Sequence, residues 1–91
     1  MASAYRPTPN QREALAAVAA FSADKGYPPS YRELSAALGY RSTSTAHQMV
    51  KRLRELGYIK PGDALARSLV LTVKGQRVAR ETARAAGVPS P

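Results

Sequence analysis

The chain has 91 residues and no cysteine, which removes disulfides, thiol catalysis and cysteine-ligated metal from consideration. Hydrophobic residues are 44% of it, much of that alanine, so a single small domain with a lean core is expected. The net charge of +8 is clustered: residues 41–60 hold a surplus of +4 and residues 73–86 a surplus of +3.

Clustering of this kind suits an anionic partner, most simply a nucleic acid backbone, although a solvated surface would carry the same charges. The longest apolar run, "ALAAVAAF" at 14–21, is far below the roughly 20 residues a membrane span needs. No basic region followed by an apolar block marks a signal peptide. The sequence therefore reads as soluble and cytoplasmic, with no membrane partner.

Residues 1–7 carry little pattern and read as a flexible arm. A first helix is expected at "TPNQREAL", with Thr8 as cap, Pro9 at the first helical position and Gln11 closing a capping box. Its inner stripe is Ala14, Leu15, Val18, Phe21 and Ser22, and Gly26 ends it. Pro28 and Pro29 then forbid helix. Ser30 caps a short second helix with Glu33 as its reciprocal partner, Leu34, Ala37 and Leu38 face inward, and Gly39 provides a left-handed exit.

A third helix starts from Ser42 as cap, runs through Leu56 and stops at Gly57. At 100° per residue, Ala46, Met49, Val50 and Leu53 share one side, and Ser44, Thr45, His47, Gln48, Lys51 and Arg52 the other. Short polar groups followed by cations are the chemistry of a recognition helix: the first turns reach base edges and the cations meet phosphate. Gln48 can bond bidentately to adenine, and no acidic residue at the helix start would repel DNA. Capping and solvation alone could also produce this pattern. The spacing of Leu34, Leu38, Tyr40, Ala46 and Met49 around Gly39 fits a helix-turn-helix with a slightly long turn.

"YIKPG" and "SLVLT" read as two short strands about a turn at Gly62 and Asp63, which would complete a winged helix. Lys60 and Arg67 lie near that hairpin. A last helix, about Val73 to Ala86, follows Thr72 as cap, and residues 87–91 read as a disordered tail. Val73, Ala79, Ala83 and Ala86 give this helix a small-residue face; it is expected to dimerise the protein, to add phosphate contacts or to fold back over the core. The expected fold class is thus mainly α with a small β-hairpin, a winged helix-turn-helix at 8–72 plus a C-terminal helix at 73–86.

Enzymatic activity is not expected. His47 is the single histidine and lies beside no carboxylate, and the six acids form no close pair or metal-ligand cluster. No glycine-rich phosphate loop is present. No catalytic residue, metal, cofactor or small-molecule ligand is therefore assigned.

Several runs together resemble the N-terminal DNA-binding domain of the LexA repressor family: "TPNQREAL", Pro28-Pro29-Ser30, Arg32-Glu33-Leu34, Leu38-Gly39, Ser44-Thr45-Ala46-His47, Leu53 and Leu56-Gly57-Tyr58-Ile59. The likeness covers about 65 residues, from Thr8 to Thr72. It implies a winged helix-turn-helix regulator that reads double-stranded DNA with positions matching Ser44, Thr45, His47 and Gln48. Phosphate contacts are expected from Ser30, Arg32, Arg41, Ser42, Thr43, Lys51, Arg52, Lys60 and Arg67, with a homodimer formed through the C-terminal helix or on the DNA. Some family branches carry two glutamates at the His47 and Gln48 positions, so the operator is not transferable from any one of them. Family members normally continue into a self-cleaving peptidase domain with a Ser/Lys dyad. The sequence ends at Pro91, so self-cleavage is not expected of it. A protein-interaction adaptor, a phage-type modulator of a host regulator and a non-specific nucleic-acid binder are the competing readings.

Overall fold

A computed structural model describes residues 7–61 and 69–85. The order is α1 (Pro9–Lys25), α2 (Tyr31–Leu38), α3 (Thr43–Glu55) and α4 (Val73–Ala85). The fold is mainly helical, as expected. α1 is the central element, packed against α2, α3 and α4. None of these helices is long and apolar enough to cross a membrane.

Both helix starts with a capping-box pattern form it. The Gln11 amide donates to Thr8 Oγ1 across 3.1 Å, and the Thr8 amide donates to Gln11 Oε1 across 3.0 Å. Ser30 and Glu33 repeat the exchange at 3.1 and 2.9 Å. Pro7 lies at the end of the expected arm, yet its carbonyl accepts from Arg12 Nη1 at 3.0 Å, so it is tied to α1. Residues 1–6, the turn at Gly62 and Asp63, Arg67, Ala86 and the 87–91 tail lie outside the described residues.

Two helices close with the same six-residue geometry. After α2, the Tyr40 amide donates to the Ser35 carbonyl at 2.9 Å and the Gly39 amide to Ala36 at 3.2 Å. After α3, the Tyr58 amide reaches Leu53 at 2.9 Å and the Gly57 amide reaches Arg54 at 3.0 Å. This closure needs a left-handed residue, supplied by Gly39 at φ 74° and Gly57 at φ 84°.

The core gathers Ala14, Leu15 and Val18 of α1, Leu34 of α2, Val50 and Leu53 of α3, then Tyr58, Ile59, Leu69, Leu71 and Ala79. Within α2 the inner face differs from expectation. Ala37 is exposed, and Ser35 is buried at 4% exposure because its hydroxyl finds a partner, the Ser42 carbonyl at 3.1 Å. A buried hydroxyl is tolerated when it is hydrogen-bonded.

In place of two strands, the described residues carry one isolated antiparallel bridge, Ile59 with Leu71. It is flanked by Lys60 amide to Val70 carbonyl at 2.8 Å and Thr72 amide to Tyr58 carbonyl at 3.0 Å. At its inner end the pairing meets two helix ends. Tyr58 closes α3, and Thr72 Oγ1 accepts the Gly75 amide at 3.0 Å to cap α4, as expected of Thr72.

α4 folds back along α1. Its inner face is Gly75 and Ala79 with Val78 and Thr82 at the margin; of the expected small-residue face only Ala79 is enclosed, and Ala86 lies outside the described residues. Val73 is 75% exposed and Ala83 is also exposed. Gly75 sets this rotation: a Cβ there would overlap the Tyr58 carbonyl oxygen, so α4 lies with bare backbone against residue 58.

Candidate nucleic-acid interface

α3 is divided sharply between its two sides. Ala46, Val50 and Leu53 are each 0% exposed, and Met49 is half-buried. Ser44, Thr45, His47, Gln48, Lys51 and Arg52 are all exposed. The aliphatic side locks into α1 and α2, so the polar side must face solvent. Ala46 is buried where the helix-turn-helix spacing requires it, whereas Tyr40 is only half-buried.

The start of α3 departs from the expected cap. Ser42 occupies the capping position with extended backbone (φ −137°, ψ 157°), yet its side chain makes no capping hydrogen bond. The residue is held instead through its carbonyl, by Ser35 Oγ. No acidic residue occupies the first turn, so Thr43, Ser44 and Thr45 line a helix start with no local negative charge.

The cations differ in how far they are engaged. Arg52 pairs with Glu55 at 3.4 Å, one turn away and with both side chains more than half exposed. Such a pair contributes a few tenths of a kcal/mol, roughly 0.3–0.5, so Arg52 can turn to a phosphate at little cost. Lys51 and Arg41 are exposed, as is Arg32 on α2. Ser30 Oγ accepts the Glu33 amide and keeps its own proton to donate. Lys60 is exposed beside the bridge.

Arg54 has a different place. Its Nε donates to the Lys60 carbonyl at 3.0 Å and its Nη1 to the Tyr31 hydroxyl at 3.0 Å. The guanidinium fork thus ties α3 to the start of α2 and to the bridged segment. Tyr31 in turn stacks on His47, with centroids 3.8 Å apart and planes 9° from parallel. Sequence reasoning left Tyr31 and Arg54 out of the site, and nothing in their spacing marks the contact.

Lys74 secures the far end of α3. Its Nζ donates to the Leu56 carbonyl at 3.1 Å and sits 4.8 Å from the centre of the Tyr58 ring. A cation on the final carbonyls complements the helix dipole. Among the described residues no group of acidic or histidine side chains could hold a metal ion.

The model of the LexA DNA binding domain matches residues 6–68. The chain belongs to the LexA DNA-binding domain family. The likeness to this family is therefore borne out, over residues 6–68. The LexA repressor of Limosilactobacillus reuteri is 44% identical over 52 residues, covering 57% of this chain and 25% of that protein. The LexA repressor of Frankia casuarinae is 41% identical over 71 residues, 77% of this chain and 28% of the other. That of Clostridioides difficile reaches 47% over 45 residues, 50% and 21% respectively. The chain thus spans about a quarter of the length of the curated relatives it matches.

The family match takes in α1, α2, α3 and the first arm of the bridge, and ends just before Leu69. α4 lies beyond it. In this LexA-type domain, α4 nevertheless contributes Ala79 to the same core.

Proposed function

We propose that this LexA-type domain is a sequence-specific binder of double-stranded DNA that acts in transcriptional repression, with α3 in the major groove. One observation carries the reading. Six hydrogen-bonding or cationic side chains stand exposed on a helix whose opposite side buries Ala46, Val50 and Leu53 completely. Ser44, Thr45, His47 and Gln48 read base edges; Lys51 and Arg52 meet phosphate one to two turns on.

Ser30, Arg32, Arg41, Ser42 and Thr43 supply further backbone contacts around the turn between α2 and α3. Lys60 and Arg67 do so from a wing built on the Ile59–Leu71 bridge. Residues 8–72 form the DNA-binding unit, and α4 is a brace attached to it. Because Ala79 is enclosed within the core, pairing of two copies is proposed on a two-fold operator and not through the alanine face of α4.

Selection of bound duplexes from a random pool tests this directly. One enriched short motif, recurring as two half-sites, is the expected result. With about five phosphates neutralised, the log–log dependence of affinity on salt should have a slope near −4.5. Enrichment of no motif despite binding would leave only non-specific contact with the backbone. No binding at moderate salt would turn the exposed face of α3 toward a protein partner.

A further inference from the structure

We infer that Tyr31 is a positioning residue for base recognition: it holds the His47 imidazole in one orientation and so sharpens the preference exerted at that point of the half-site. The inference rests on the reading of α3 as the base-reading helix. It adds a residue from outside that helix, one whose side chain need not touch DNA.

The two rings lie 3.8 Å apart and 9° from parallel. His47 is exposed and takes part in no hydrogen bond among the described residues, and among those residues the Tyr31 ring is its one specific partner. An exposed histidine on a helix ordinarily samples several χ1 and χ2 states. A flat neighbour covering one face suppresses rotation about χ2 and leaves the imidazole edge, with Nδ1 and Nε2, available to a base.

The plate is itself fixed at both ends. Tyr31 follows Ser30, whose capping box with Glu33 sets the start of α2. At the other end the Tyr31 hydroxyl accepts from Arg54 Nη1 at 3.0 Å, and Arg54 Nε is anchored on the Lys60 carbonyl at 3.0 Å. The Lys60 amide then donates to Val70 at 2.8 Å, which carries the chain of contacts into the bridged segment. His47 is thus oriented by parts of the fold that are distant in sequence. Orientation before binding matters because each side chain ordered on association forfeits rotamer freedom.

The test uses the full chain and the duplex enriched by selection, with a scrambled duplex as reference. The quantity read is the ratio of the two affinities. Tyr31→Ala should lower that ratio by roughly 3- to 10-fold, the factor that corresponds to freeing one side chain. Tyr31→Phe keeps the ring and should restore most of the preference. In the His47→Ala background, Tyr31→Ala should change the ratio by less than about 2-fold, because the residue through which it acts is gone. Upfield shifts of the His47 ring protons should disappear in Tyr31→Ala and persist in Tyr31→Phe.

An unchanged ratio in Tyr31→Ala, with wild type discriminating normally, overturns the inference and leaves the reading of α3 intact. So does an equal loss with and without His47, or a Tyr31→Phe variant as impaired as Tyr31→Ala. A wild-type protein that does not discriminate between the duplexes removes the reading of α3 and this inference together.

Discussion

The Ser35 hydroxyl donates to the Ser42 carbonyl across 3.1 Å and thereby joins α2 to the residue that opens α3. Ser35 is 4% exposed, so its oxygen cannot exchange this partner for bulk solvent. Ser35→Ala should lower the unfolding free energy by about 0.5–1.5 kcal/mol, the net contribution of one such bond. Urea denaturation gives the value; an unshifted midpoint would mean that the bond contributes nothing.

Gly75→Ala sets two effects against each other. Alanine favours a helix interior over glycine by about 1 kcal/mol. Against this, the new Cβ meets the Tyr58 carbonyl, which is backbone and cannot swing aside. Overpacking of this sort costs about 1–3 kcal/mol, and more when the obstacle is rigid. Net destabilisation is expected, read as a lower urea midpoint; a midpoint at or above wild type would refute the tight approach of α4.

Thr82 makes the opposite prediction. Its Oγ1 is buried and has no hydrogen-bond partner among the described residues. Thr82→Val keeps the shape and removes the unsatisfied hydroxyl, which should raise stability by up to about 1 kcal/mol. Thermal unfolding of the pair decides it, and a lower midpoint in the variant would show the hydroxyl to be satisfied.

Burial, and behind it the negative charge of Glu13, raises the Tyr40 phenol above its ordinary value of 10.0. The fold thus favours the protonated phenol more than the unfolded chain does. The associated stability is fully present below about pH 10 and is lost as pH rises through the folded-state value. Wild type should lose more stability between pH 8 and pH 11 than Tyr40→Phe. Parallel losses in the two proteins would dismiss Tyr40 as a source of the alkaline sensitivity.

Gln48 and Lys51 stand one turn apart on the exposed side of α3 and should fail in different ways. Gln48→Ala should relax base preference at one position, by about 1–3 kcal/mol of discrimination if the contact is bidentate. Lys51→Ala should weaken binding to all duplexes alike and reduce the salt slope by about 1. Titrations on specific and random duplexes at several salt concentrations separate the two. Equal loss on both duplexes for Gln48→Ala would remove it from the reading role.

The features legible in the sequence are those written over three or four residues. Thr8 with Gln11 and Ser30 with Glu33 declare their capping boxes locally, and both form. The helical period likewise separated Ala46, Val50 and Leu53 from the exposed side of α3. Contacts between elements were not legible. The Arg54–Tyr31 bond spans 23 residues, and the stack of Tyr31 on His47 likewise depends on how α2 meets α3. Position alone could not show that the Ser42 hydroxyl leaves the cap unused. On α2, Ser35 and Ala37 lie on either side of the Leu34–Leu38 line, and only the Ser42 carbonyl decides which is enclosed. On α4, a glycine within a helical pattern was the available signal, since a helix carries glycine only at a cost relative to alanine.

Lys74 grips the Leu56 carbonyl that caps α3, Thr72 Oγ1 donates to the Gly57 carbonyl at 2.7 Å, and Leu69, Leu71 and Ala79 complete the core. All of these residues lie beyond position 68, where the family match stops. A fragment trimmed to that match would remove the helix packed along α1, take three members out of the core and leave the end of α3 unbraced. Anyone grafting this module onto another protein should carry the chain through Ala85 and place the fusion joint after it.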